Sequence, residues 1–135
     1  MAANANYAAN SPRSVSVAIA STETDLAVPT ESVLLWTAPA AGSKIEEVDV
    51  NAIATTLVAT TVAGLVYLFI YNGSTYYLFD VYAVSAITAS ATTAGFRSSK
   101  QYPNLVLETG QFLYVSQSES SNAAKLVVTA SGADY

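Results

Sequence analysis

The sequence predicts an all-β domain: an antiparallel β-sandwich of eight or nine strands, with a jelly roll as first choice. Three observations predict it. Short runs rich in Val, Ile, Tyr, Phe and Thr recur about every 8–14 residues along the chain. Clusters of Gly, Pro, Asn and Ser separate those runs. No segment carries the 3.6-residue periodicity of an amphipathic helix. At 135 residues the length suits one domain, and no internal repeat of fixed period divides it.

The elements follow in order. Residues 1–13 are rich in Ala and Asn and show neither periodicity, which predicts an extended N-terminal arm ahead of a single β domain over 14–135. Val15, Val17 and Ile19 alternate with Ser14, Ser16 and Ala18, the pattern of a half-buried strand. The polar stretch STETD follows, and then the strand SVLLWTA, closed by a turn at Pro39–Ser43. In KIEEVDVNAIAT, Val48, Val50 and Ala52 share one face and Glu47, Asp49 and Asn51 the other. Ile45 and Ile53 fall out of phase, predicting a bulge or bend near each end.

The run GLVYLFIY, then NGST, then YYLFDVYAV reads as a β-hairpin. Asn72-Gly73 fits a type I′ turn because both residues tolerate positive φ. Residues 65–71 are apolar at nearly every position, which places both strands mid-sandwich or at an interface. ITASATTAG reads as a loop and FRSSK as a short polar strand. Pro103 precedes LVLE, Thr109-Gly110 turns into FLYVSQS, and the polar loop 118–122 leads to AAKLVVTAS and the tail GADY.

Composition narrows the function. Charged residues make up 11% of the chain, against roughly 25% in ordinary soluble domains, which suits a surface partly covered by neighbouring proteins first and a protein that works outside a cell second. The five basic residues Arg13, Lys44, Arg97, Lys100 and Lys125 are scattered and the net charge is -5, so nucleic acid is not an expected partner. Residues 52–71 carry no charge and reach about a bilayer's thickness. Their several Thr, the Asn-Gly that ends them and the missing Lys or Arg anchors favour strands over a membrane span. The N-terminus lacks the basic-then-apolar order of a secretory leader.

Candidate chemistry is sparse. The chain has neither Cys nor His, so it offers no disulfide, no thiolate metal site and no imidazole base. Glu46, Glu47 and Asp49 could ligate calcium or form a glycosidase pair, but their alternation fits a solvated strand face. Asp80, inside an aromatic run, is expected to point outward or to pair with a Tyr hydroxyl or with Lys100 or Arg97. No G-x-S-x-G elbow or phosphate-cradling glycine loop occurs. These readings predict no enzyme, no cofactor and no metal. Nine tyrosines remain, five on the hairpin, and alternation sets Tyr67 and Tyr71 opposite Leu68 and Ile70. One set faces the core, and the Tyr set is expected to meet a partner.

Leu68-Phe69-Ile70-Tyr71-Asn72-Gly73, followed by a strand and Val84–Ser90, resembles the central hairpin of small virion proteins of tailed phages. Pro103–Leu107 with Gly110–Ser116 resembles their later P-x-L-x-L and G-x-x-L-x-V-S element, and Gly132–Tyr135 is similar to their acidic-aromatic tails. The resemblance covers residues 44–135. Tyr67 stands where an Arg often precedes the L-F-I triplet. It implies a capsid decoration, or cement, protein on the outer surface of a phage head. Its partners would be the major capsid protein and copies of itself, a homotrimer first and a dimer next. The expected partner interface comprises Asn4, Asn6, Tyr7 and Asn10 of the arm, Tyr67 and Tyr71 of the hairpin, and Tyr135. The alternatives are a tail, baseplate or fibre module and a carbohydrate-binding adhesin.

Overall fold

The computed structural model describes residues 11–54, 59–120 and 124–135. Among them are ten strands and no helix. The strands are β1 Ser11–Ile19, β2 Val33–Thr37, β3 Ser43–Ala54, β4 Ala59–Thr60, β5 Gly64–Tyr71, β6 Tyr76–Val84, β7 Thr88–Ala89, β8 Arg97–Leu107, β9 Phe112–Gln117 and β10 Ala124–Asp134. Sheet I has the order β1-β10-β3-β8 and sheet II the order β2-β9-β5-β6, while β4 and β7 form a two-stranded ribbon. Every strand pairing is antiparallel. The all-β, antiparallel class is the one the sequence predicts.

One hydrophobic cluster draws on both large sheets. Sheet I supplies Ile45, Val48, Val50, Leu107, Val128 and Ala130, and sheet II supplies Leu35, Trp36, Val66, Leu68, Leu113 and Val115. Each fully buried side chain of this size contributes roughly 1.5–3 kcal/mol. A cation stitches each flank, where an edge strand of sheet I meets one of sheet II. On one flank Arg13 of β1 lies 3.8 Å over the Trp36 ring, donates to Thr37 O at 2.9 Å and pairs with Asp134 at 3.0 Å. On the other, Lys100 of β8 reaches Asp80 of β6 at 3.1 Å.

Several expectations need correction. Ser11, Pro12 and Arg13, assigned to the arm, open β1 and pair with Asp134, Ala133 and Gly132, a position Pro tolerates because β1 is an edge. Residues 1–10 lie outside the described residues. Around Ile45 the register shifts against both neighbours, and Ile45 is fully buried. Ile53 keeps regular pairing with Lys125 and is simply exposed. The hairpin loop spans four residues, with Tyr71 opposite Tyr76. Only Gly73 has positive φ, so the turn is not type I′. The Asn72 carboxamide oxygen instead accepts from Ser74 N, Ser74 Oγ and Thr75 N.

Strand β5 is central, but β6 is an edge. Strand β8 runs through Pro103, where the pairing slips between Gln101 and Leu105, as Pro requires of a sheet edge. Thr88 and Ala89, read as loop, pair with β4, and the tail through Asp134 belongs to β10. The described parts of 52–71 hold the end of β3, all of β4 and all of β5, and no helix among the described residues is long and apolar enough to cross a membrane.

Candidate functional site

The site is the face of sheet II turned away from the core. Alternation along β5 sends Val66, Leu68 and Ile70 toward the core cluster, leaving Tyr67, Phe69 and Tyr71 on the other side. Antiparallel pairing then brings Ser116, Tyr114 and Phe112 of β9 opposite those three, and Tyr76 of β6 opposite Tyr71.

Six rings meet there. Tyr71 stacks on Tyr76 at 4.2 Å between centroids, and Tyr114 meets both edge-on at 5.7 and 5.4 Å. Phe112 lies 6.0 Å from Tyr71, Tyr76 lies edge-on to Phe69 at 6.3 Å, and Tyr67 lies 6.2 Å from Phe69. Offset and edge-to-face geometries of this kind add about 0.5–1.5 kcal/mol per pair beyond burial. Phe69 is fully buried without joining the main core, so these rings form a thin second layer over it. Leu34, Leu65 and Leu78, each about two-fifths exposed, extend the apolar border.

The face carries almost no charge. On all four strands of sheet II the only Asp, Glu, Lys or Arg is Asp80, and it points to sheet I. Burial pushes the Tyr76 hydroxyl above its ordinary pKa, and neighbouring Tyr114 and Tyr71 push it further against a hydrogen bond with Ser32.

Tyr67 and Tyr71 thus sit on one surface, joined by Tyr76, Phe112 and Tyr114. Tyr135 does not join them: its N–H donates to Gly42 O at 3.1 Å, and among the described residues no ring contact links it to the cluster. Asn4, Asn6, Tyr7 and Asn10 lie outside the described residues. Phe112 and Tyr114 were absent from the sequence prediction. They could be suspected from the alternation of FLYVSQ, but their place beside β5 depends on strand order.

Asp80 is paired. Its Oδ2 accepts from Tyr102 at 2.7 Å, and its Oδ1 accepts from Lys100 at 3.1 Å and Val81 N at 2.8 Å. Burial alone would raise this carboxyl; the three donors outweigh burial and hold it below its usual value. Tyr102 in turn lies 2.7 Å from the Tyr82 hydroxyl, which is also 3.1 Å from Val48 O. Burial pushes Tyr82 up to about 12, its bond with Tyr102 opposes this, and Asp80, Asp49 and Glu47 push it further. This is a structural ion pair between sheets. Glu46 and Asp49 pair with Lys44 and Arg97 at 3.8 and 3.2 Å.

Glu23 escaped the sequence reading altogether. Its buried carboxylate accepts from Thr24, Asp25 and Glu31 N–H groups, tying down the connection between β1 and β2. Comparison of the chain with family models, curated proteins and solved structures returned no match.

Proposed function

We propose that this chain is a virion structural protein: a capsid decoration subunit that docks on the outer surface of a phage head and staples adjacent capsid subunits. The observation that carries the reading is the charge-free face of six contacting rings on sheet II. Half-buried aromatic rings bordered by exposed Leu34, Leu65 and Leu78 have the composition of a protein-binding hot spot. Tyr71 and Tyr76 each use one ring face on the other, which favours a protein partner over a sugar stacked on open rings. The role is one of binding, with copies of the chain as further partners.

In this reading the fold is a jelly-roll sandwich. Strand order supports it: with β4 and β7 set aside, successive strands alternate between sheets I and II except at the β5–β6 hairpin. The first and last strands are neighbours, and the resulting orders are those of two nested Greek keys. A rigid subunit that binds the assembled shell better than its loose components stabilises that shell by mass action.

The test is direct. Antibody against the chain should label the heads of virus particles purified from its source, and purified chain should cosediment with them. Replacing Tyr71 and Tyr114 with Ala should weaken cosedimentation by about 100-fold or more, with the β circular-dichroism signal retained. Deleting residues 1–10, which removes no described strand, should also weaken it if the arm reaches a neighbour. Labelling confined to tails, binding only to glycans, or unchanged binding of the Tyr variant would overturn the reading of this face.

A further inference from the structure

Among the described residues the two large sheets end in four edge strands, and three carry features that discourage another strand from pairing there. Strand β1 contains Pro12 and Arg13, β2 is only five residues long, and β8 contains Arg97, Lys100 and Pro103 beside a register slip. Strand β6 differs. It runs nine residues without Pro, Lys or Arg, and Tyr77, Leu78 and Phe79 are exposed in succession, so both of its faces are apolar. Its one bulge lies between Leu78 and Asp80.

What covers this edge comes from the opposite sheet. Leu65 exchanges hydrogen bonds with Ser118 on the β9 side, so its partner on β6, Ala83, turns its backbone groups to the free edge. Val81, two residues earlier, has the same orientation. Both of its backbone groups are taken: the N–H donates to Asp80 Oδ1 at 2.8 Å, and the carbonyl accepts from Lys100 Nζ at 2.8 Å. Lys100 and Asp80 also bind each other, Lys100 lies 4.6 Å over the Tyr82 ring, and Tyr102 fixes the second carboxylate oxygen.

We propose that Asp80 and Lys100 form an edge guard: by occupying the outward backbone groups of Val81, they keep β6 from pairing with β6 of a second copy. A second copy is the occupant because an incoming strand must be extended and apolar on both faces, and β6 itself meets both demands. Its single charge is turned inward and neutralised, so two such strands meet without like-charge repulsion. The proposal does not depend on the capsid reading, since the guard protects the edge whatever the aromatic face binds.

Two measurements test it. Amide exchange on the unaltered chain should show Val81 exchanging about tenfold or more slowly than Ala83, the scale of a charge-assisted hydrogen bond. Equal rates would overturn the guard. Second, Asp80→Ala with Lys100→Met removes both the acceptor of the Val81 N–H and the donor to its carbonyl without leaving a lone buried charge. At matched concentration this variant should shift by light scattering to assemblies of at least twice the unaltered chain's mass. Adding Leu78→Lys should restore the original mass. A variant that keeps the β spectrum and the original mass, or assemblies that persist after Leu78→Lys, would overturn the proposal; if the double variant does not fold, the exchange measurement decides.

Discussion

Sheets I and II have four strands each and share one core, yet they differ outside it. The strands of sheet I carry nine charged residues: Arg13, Lys44, Glu46, Glu47, Asp49, Arg97, Lys100, Lys125 and Asp134. Those of sheet II carry Asp80 alone. Ser14, Ser16 and Ala18 are exposed on β1, where Ser16 bonds Thr129 across the pair at 2.7 Å. The outward side of sheet II is aromatic. Water satisfies the first surface as it stands, whereas the second gains free energy when something apolar covers it. That contrast is what supports the proposed contact role of sheet II.

The largest test of that contrast is Phe69→Ala. Phe69 faces away from the main core yet is fully buried by its neighbouring rings, so truncation should cost about 3–5 kcal/mol in a denaturant titration. A cost below about 1 kcal/mol would mean that the ring layer is only a loose surface film.

Next comes alkali, which probes the seam between the sheets. The Tyr82 pKa is raised from 10.0 to about 12 in the folded chain. Its stabilising contribution is therefore complete below pH 10 and is lost as pH rises through about 12. Tyr82→Phe should be less stable than the unaltered chain at neutral pH, and its stability should fall less steeply between pH 10 and 12. Equal slopes would show that the hydroxyl is not held neutral. The smallest effect belongs to sheet I: Arg97→Ala breaks an ion pair whose Arg side chain is 68% exposed, and should cost under about 1 kcal/mol with no change in binding.

Local patterns in the sequence carried much of this architecture. The alternation of Val48 and Val50 placed their side of β3 in the core, and the phase break at Ile45 marked a real bulge. Ile53 showed the same phase break without a bulge, because a bulge depends on the opposing strand: Gly132 approaches Lys44 so closely that a Cβ there would lie 2.0 Å from its carbonyl oxygen. Asn72-Gly73 located the turn, but its length depended on where the Asn72 side chain found donors. Of the aromatic face, Tyr67 and Tyr71 were legible from alternation on one strand. Phe112, Tyr114 and Tyr76 were not, since only strand order and register bring them alongside. Glu23 gave no local sign, because one of its amide partners comes from Glu31, eight residues on.

The position of β10 has a consequence for synthesis. It is the last described strand to leave the ribosome, yet it lies between β1 and β3 and pairs with both along its length. Until it emerges, β1 has no strand of sheet I to pair with and β3 has only β8, and their apolar sides wait exposed. Closure must then bring together residues more than a hundred positions apart, such as Ser11 and Asp134, so folding should be slow and completed only once β10 has been made.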